Sequence, residues 1–177
     1  LDHPGFRPRD WATVKRGIIG GAPCPMELMR RIVKDVGVSE ITVAWGITET
    51  ASWITMTRPD DPIELRVSTI GTPLACSEVK IVDPKSGEPL PANRQGELCT
   101  RGFLMMEYYR MPGATAAAID RDGWFHTGDL GTMDEEGYVR ITGRLKDVIV
   151  RDGQDVYPVE IEEVIYELPE VSEAQVF

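Results

Sequence analysis

Glu40-Ile41-Thr42-Val43-Ala44-Trp45-Gly46-Ile47-Thr48-Glu49-Thr50 runs from a short apolar strand into a glycine and a polar turn. Upstream of it, Ile18-Ile19 leads into Gly20-Gly21-Ala22-Pro23. Pro25 then opens a helix with Leu28, Met29, Ile32, Val33 and Val36 on one face, and Gly37 closes it. Strand, helix and strand in that order predict the edge of a mostly parallel sheet.

From about Val67 to Thr142 the texture is β-rich. Glu78-Val79-Lys80-Ile81-Val82 alternates, and Asp83-Pro84-Lys85-Ser86-Gly87 turns. Gly96-Glu97-Leu98-Cys99-Thr100-Arg101-Gly102 is a second strand, and Tyr138-Val139-Arg140-Ile141 follows the turn Asp134-Glu135-Glu136-Gly137. A short Ala-rich helix near Ala114 to Ile119 interrupts what reads as a small barrel or meander. Beyond Arg144, Asp147-Val148-Ile149-Val150 and the tip Arg151-Asp152-Gly153-Gln154 predict a hairpin. A helix then starts at Pro158 with Ile161, Val164, Ile165 and Leu168 facing inward. Glu160, Glu162 and Glu163 suit its positive N-terminal end, and Pro169 stops it.

The fold class expected is therefore mixed α/β: the end of a parallel α/β subdomain, a distorted antiparallel β-barrel, and the start of a small α+β domain. The expected boundaries are 1–66, 67–143 and 144–177. Leu1-Asp2-His3-Pro4-Gly5 shows no initiator Met and no leader. Ser172-Glu173-Ala174-Gln175-Val176-Phe177 reads as a strand that begins without a partner, so the expectation is a fragment of a longer chain.

Composition narrows the partners. The 177 residues carry 19 Lys and Arg against 29 Asp and Glu, a formal charge of −10, which supplies no phosphate-neutralising surface for a nucleic acid. A local basic pocket for a nucleotide remains compatible with it. No apolar run approaches the ~18 residues of a membrane span. Cys24, Cys76 and Cys99 are odd in number and widely spaced, which suggests neither a disulfide framework nor a zinc site and points to a reducing, cytoplasmic compartment.

Four segments concentrate the chemistry. Gly20-Gly21-Ala22-Pro23 is either a plain strand-to-helix turn or backbone packed against a flat ligand. Trp45-Gly46-Ile47-Thr48-Glu49 sits at a strand end, where open α/β sheets place ligands. There a ring could stack on a base, a hydroxyl could bond phosphate and a carboxylate could hold Mg²⁺; the plain alternative is a half-buried Trp with solvated polar neighbours. Trp124-Phe125-His126-Thr127-Gly128-Asp129-Leu130 reads as a loop whose Asp could accept from both hydroxyls of a ribose, or as an Asp–Gly turn with buried aromatics. His126 reads as a packing or hydrogen-bonding residue rather than a base. Gly143-Arg144-Leu145-Lys146-Asp147 is a solvated linker or a hinge.

In this order the four segments resemble the adenylate-forming superfamily of acyl-CoA synthetases, luciferases and adenylation domains, from about Gly17 to Phe177. Trp45 to Glu49 is similar to its aromatic-Gly-x-Thr-Glu motif, and His126 to Asp129 to its Thr-Gly-Asp motif. Gly143 to Asp147, with Gly153, Pro158, Glu160, Ile161 and Glu162, is similar to its hinge motif. Ile70-Gly71-Thr72-Pro73, Val79 to Pro84 and Gly96 to Gly102 look most like medium-chain fatty acyl-CoA synthetases. The resemblance implies an ATP-dependent ligase that joins a fatty acid to coenzyme A through an acyl-adenylate. It implies that Gly21, Ala22 and Pro23 border the adenine, that Trp45 stacks near it, and that Gly46 and Ile47 line the acyl pocket. Thr48 would hold phosphate, Glu49 would ligate Mg²⁺, Asp129 would hold the ribose, and Arg144 would contact ribose or phosphate. Lys146 would be the pivot of domain rotation, and Gly153 would approach the pantetheine chain. The partners implied are a small carboxylic acid, ATP and coenzyme A, with a homodimer through the full-length N-terminal domain admitted.

Two elements of the family are not in this sequence: a Gly-rich phosphate loop ending in Lys, expected upstream, and a catalytic Lys, expected beyond Phe177. The fragment alone is therefore expected to be inactive. Trp45 stands where Tyr is commoner and keeps a ring for stacking. Asp152 and Asp155 stand where small or amide residues are commoner, and two carboxylates disfavour a phosphorylated thiol cofactor. Three rival readings follow: an adenylating enzyme for an aromatic or amino acid, a non-catalytic relative that binds nucleotide or acyl ligands, and a plain structural β-rich domain, which would need the ordered motifs to coincide by chance. Retention of Thr48, Glu49, Asp129 and Arg144 speaks against the second.

Overall fold

The computed structural model describes residues 1–177 apart from Asp2, Pro23, Asp152, Gly153, Glu167, Pro169, Ser172, Glu173 and Phe177. It resolves into two compact units. The first comprises Leu1–Glu78, Gly102–Met105 and Gly137–Val139; the second comprises Val79–Arg101, Met106–Glu136 and Arg140–Phe177.

The first unit is built on a four-stranded sheet. Strand β1 (Arg16–Gly20) is followed by helix α1 (Met26–Arg31), which continues as a wide π turn over Ile32–Val36 and closes at Gly37. Strand β2 (Glu40–Ile47) then pairs parallel with β1. β2 is buried from Ile41 to Ala44, as expected of a strand with neighbours and cover on both sides. Strands β3 (Ser52–Met56) and β4 (Thr72–Pro73) add antiparallel, giving the order β1-β2-β3-β4. The sheet is thus mixed, not mostly parallel, because a tight turn after Ile47 returns the chain as a hairpin.

Met29 of α1, wholly buried, packs with Cys24, Val38, Ile41 and Val43 to form the core of this unit. Helix α2 (Ile63–Ser68) contributes a buried Arg66, whose Nη1 donates to the carbonyls of Ser39 (3.1 Å) and Ile41 (2.7 Å) at the entry to β2. Leu28, expected on the buried face of α1, is exposed.

The second β part has strands β5 (Glu78–Val82), β6 (Gly96–Arg101), β7 (Phe125–Met133) and β8 (Val139–Arg144) in the order β5-β6-β7-β8. Among the described residues this is an open sheet and not a closed barrel. β6, inside the sheet, is buried from Gly96 to Thr100. Helix α3 (Pro112–Ala118) is the Ala-rich segment. After β8 a 3₁₀ turn (Leu145–Asp147) leads to the hairpin of β9 (Ile149–Arg151) and β10 (Gln154–Val156), in which Arg151 pairs with Gln154.

Helix α4 (Pro158–Tyr166) starts at the expected proline. Of the stripe expected to face inward, Ile165 is half-buried, while Ile161 and Val164 are exposed, as is Leu168 beyond the helix end. The expected terminal strand is also absent among the described residues. Ala174, Gln175 and Val176 are irregular, and the Val176 N–H donates to Glu162 Oε1 at 2.8 Å instead of to a sheet.

Candidate functional site

Parallel pairing sets Gly20 of β1 beside Ala44 of β2. The chain therefore leaves both strands at one edge of the sheet. Gly21 adopts φ +83°, the left-handed region that glycine enters without a Cβ clash, and nothing lies within 4 Å of where a Cβ would be. Gly21 and Ala22 are exposed; Pro23 lies outside the described residues. At the end of β2, Trp45 pairs with Thr55, but Gly46 pairs with Trp53. The register shift leaves Ile54, 1% exposed, as the extra residue on β3. Such a bulge re-aims the side chains beside it.

Trp45, Gly46 and Ile47 are half-buried. Thr48, Glu49 and Thr50 form a single 3₁₀ turn, pinned by the Thr50 hydroxyl donating to the Ile47 carbonyl at 2.9 Å. The Glu49 carbonyl accepts the Met105 N–H at 2.7 Å. The first unit thus brings Gly21, Ala22, Trp45, Gly46, Ile47, Thr48 and Glu49 to one strand edge. Glu49 and the exposed Thr48 carry a carboxylate and a hydroxyl, hard oxygen donors of the chemistry that suits Mg²⁺, an ion that takes one or two carboxylates and fills its shell with water and phosphate.

In the second unit the segment expected as a loop is part of β7. Two steps along β6, from Glu97 to Cys99, are matched by four along β7, from Leu130 to His126. Thr127, Gly128 and Asp129 fall in this bulge, and Gly128 takes φ +71°. The Asp–Gly texture that suggested a turn is the texture of a bulge inside a continuing strand. The Asp129 carboxylate is 8% exposed and lies 3.2 Å from Nε of Arg144, the last residue of β8. Lys146 is exposed on the 3₁₀ turn that follows, and Asp155 is exposed on β10. Gly153 lies outside the described residues. Asp129 and Arg144 are therefore brought together, with Lys146 two residues further on.

The sequence reading missed the group beneath this bulge. Glu97, Cys99 and His126 offer polar atoms that all lie within 4.8 Å of one another. His126 Nδ1 is 2.9 Å from Glu97 Oε2 and 3.5 Å from Cys99 Sγ, and His126 Nε2 is 3.7 Å from Asp120 Oδ2. The available signal was the two-residue spacing of Glu97 and Cys99, which puts them on one face of β6. Burial, and secondarily the charge of Glu97, pushes the Cys99 thiol up to about 12. Burial also pushes the Asp120 carboxyl up, but the N–H groups of Trp124 and Asp122, with Lys80 and His126, together outweigh it and hold Asp120 below the usual carboxylate range.

The second unit thus holds a bulged carboxylate beside an arginine, and the first a strand-end turn carrying Thr and Glu. The AMP-binding enzyme family matches residues 1–110, and the chain belongs to that family. YngI of Bacillus subtilis (strain 168), a candidate acyl-CoA synthetase, is 48% identical over 177 residues, which are 99% of this chain and 32% of YngI. The mitochondrial medium-chain acyl-CoA ligase ACSF2 of Rattus norvegicus is 38% identical over 99% of this chain and 29% of its own length. Among solved structures, o-succinylbenzoate CoA synthetase (MenE) from Bacillus subtilis, in complex with the acyl-adenylate intermediate OSB-AMP, superposes with a TM-score of 0.79. It is 31% identical and covers 91% of this chain and 32% of that one. The chain spans about a third of the length of these relatives. Among the described residues no helix is long and apolar enough to cross a membrane.

Proposed function

We propose that the protein to which this chain belongs is an ATP-dependent acid–thiol ligase that activates a fatty acid as acyl-AMP and passes the acyl group to coenzyme A. The observation that carries the reading is the Thr127-Gly128-Asp129 bulge, which lifts a carboxylate out of a strand ladder beside Arg144. ATP and coenzyme A are the co-substrates this family membership supports, and the ACSF2 relatives favour a medium-length fatty acid.

The chemistry needs charge stabilisation more than proton transfer. A carboxylic acid is already ionised at neutral pH, so its oxygen attacks the α-phosphorus of ATP without a base and pyrophosphate leaves with the P–O bonding pair. The thiol of coenzyme A then attacks the acyl carbonyl, loses its proton and expels AMP. In this scheme Gly21, Ala22 and Pro23 border the adenine, and Trp45 stacks near it. Gly46 and Ile47 line the acyl pocket, and Thr48 donates to phosphate. Glu49 would hold Mg²⁺, which supplies positive charge for the developing phosphorane oxygens. Asp129 accepts from the ribose hydroxyls, and Arg144 turns its guanidinium to ribose or phosphate. Lys146 serves as the pivot between the half-reactions, and Gly153 approaches the pantetheine arm. The domain limits 1–66, 67–143 and 144–177, a cytoplasmic location and a homodimer belong to the same proposal. A different acid is the second reading, favoured by the likeness to o-succinylbenzoate CoA synthetase.

The test is pyrophosphate release by the full-length protein with ATP and Mg²⁺, across acids of graded chain length and aromatic acids, with and without coenzyme A. Release that peaks at medium chain length is expected, with acyl-CoA formed when the thiol is present. A maximum with an aromatic acid would select the second reading, and no release with any acid would sink the ligase proposal.

A further inference from the structure

At the β7 bulge the ladder is interrupted, and side chains take over the backbone groups it strands. The Leu98 carbonyl accepts the Thr127 hydroxyl at 2.8 Å, and Thr127 Oγ1 in turn accepts the Asp129 N–H at 3.0 Å. The Gly128 N–H donates to Glu97 Oε1 at 3.1 Å, while Glu97 Oε2 lies 2.9 Å from His126 Nδ1. Since an ionised carboxylate only accepts, Nδ1 carries the hydrogen. The Glu97 side chain is 8% exposed, and a carboxylate that deep is retained where donors meet both of its oxygens. Here the two donors stand immediately on either side of Thr127.

We propose that Glu97 is a positioning residue for the nucleotide site: its two oxygens clamp His126 and Gly128 and so hold open the bulge that presents Asp129. The inference rests on the reading that Asp129 holds ribose. In this structure the convergence of Glu97, Cys99 and His126 is a hydrogen-bonded clamp, in which Glu97 meets two donors. Asp120 steadies the far side of the imidazole at 3.7 Å, and its own second oxygen is occupied by the N–H groups of Asp122 and Trp124.

A glutamine at this position can keep the clamp. Its amide oxygen accepts from Gly128, and its amide nitrogen donates to His126 in the other tautomer; an alanine can do neither. The readout is the preference of the full-length protein for ATP over 2′,3′-dideoxy-ATP, measured as the ratio of kcat/KM in pyrophosphate release together with KM for the acid. Asp129→Ala should abolish the preference. Glu97→Ala should reduce it at least about 10-fold with KM for the acid within about twofold, and Glu97→Gln should hold it within about threefold.

If Glu97→Ala keeps the wild-type preference while Asp129→Ala loses it, the clamp is wrong and the ribose role of Asp129 stands. If Asp129→Ala keeps it too, the ribose reading falls and the clamp with it. Should Glu97→Ala fail to fold, His126→Ala, which removes one side of the clamp, is expected to lower the preference at least about threefold. An unchanged preference in that variant overturns the proposal.

Discussion

Cys99 lies 3.5 Å from a ring nitrogen of His126, a distance at which a thiol and its base could form a nucleophilic pair. The surroundings forbid it. Desolvation raises the thiol to about 12, so at pH 8 it stays protonated and is a poor nucleophile. Glu97 also competes for the same nitrogen at shorter range. Cys76, by contrast, is exposed, while Cys24 is buried. Timed alkylation at pH 8 followed by peptide mass spectrometry should find Cys76 modified and Cys99 protected; labelling of Cys99 at the rate of Cys76 would contradict the assignment. At this scale the sequence made residue types legible where neighbours in the chain form the motif, as with Thr48 and Glu49 or Thr127 to Asp129. It did not reveal Glu97 meeting His126, because 29 positions separate them and only the β6–β7 register joins them.

Elements were legible where one physical rule governs. Pro25 and Gly37 bracket a helix, and Ile41 to Ala44 form a strand buried on both faces. Elements were misread where two rules compete. Gly128-Asp129 carries turn residues, yet the strand continues around it as a bulge because Phe125 and Leu130 on either side are buried. The stripe of α4 has the right period, yet Ile161 and Val164 stay exposed and only Ile165 is half-buried. Within the first unit, the segment 137–139 is secured in a way that composition could not disclose. Tyr138 donates its phenolic O–H to Asp61 Oδ1 at 2.7 Å, and the Arg58 N–H donates to Asp61 Oδ2 at 2.7 Å.

The hydrogen bond to Asp61 raises the phenol above its ordinary value, with burial adding to it. A folded-state value above the unfolded one means that the contribution is fully present below about pH 10 and is lost as pH rises through the folded value. Tyr138→Phe should therefore cost about 1 kcal/mol at pH 7 and flatten the alkaline fall in stability. Urea unfolding at pH 7 and above pH 10 checks this, and equal alkaline loss in the variant would contradict it.

For the molecule as a whole, the proposed polyanionic substrate asks an acidic chain for local cations: Arg144 stands beside Asp129, and Glu49 would hold a cation in that proposal. Family membership rests on residues 1–110, whereas the Asp129–Arg144 pair lies beyond that stretch and was found by motif order and geometry. The acid substrate was not legible, since Gly46 and Ile47 are the only residues the motifs assign to the proposed acyl pocket and the names of relatives of similar fold carry different acids. The central step of the proposed function is the attack of a carboxylate oxygen on the α-phosphorus. Turnover of the full-length protein with a medium-chain acid labelled with ¹⁸O in its carboxylate, followed by mass spectrometry of the products, tests that step directly. One ¹⁸O in the phosphate of AMP and none in pyrophosphate is expected; label in inorganic phosphate or pyrophosphate, with unlabelled AMP or ADP, would contradict it.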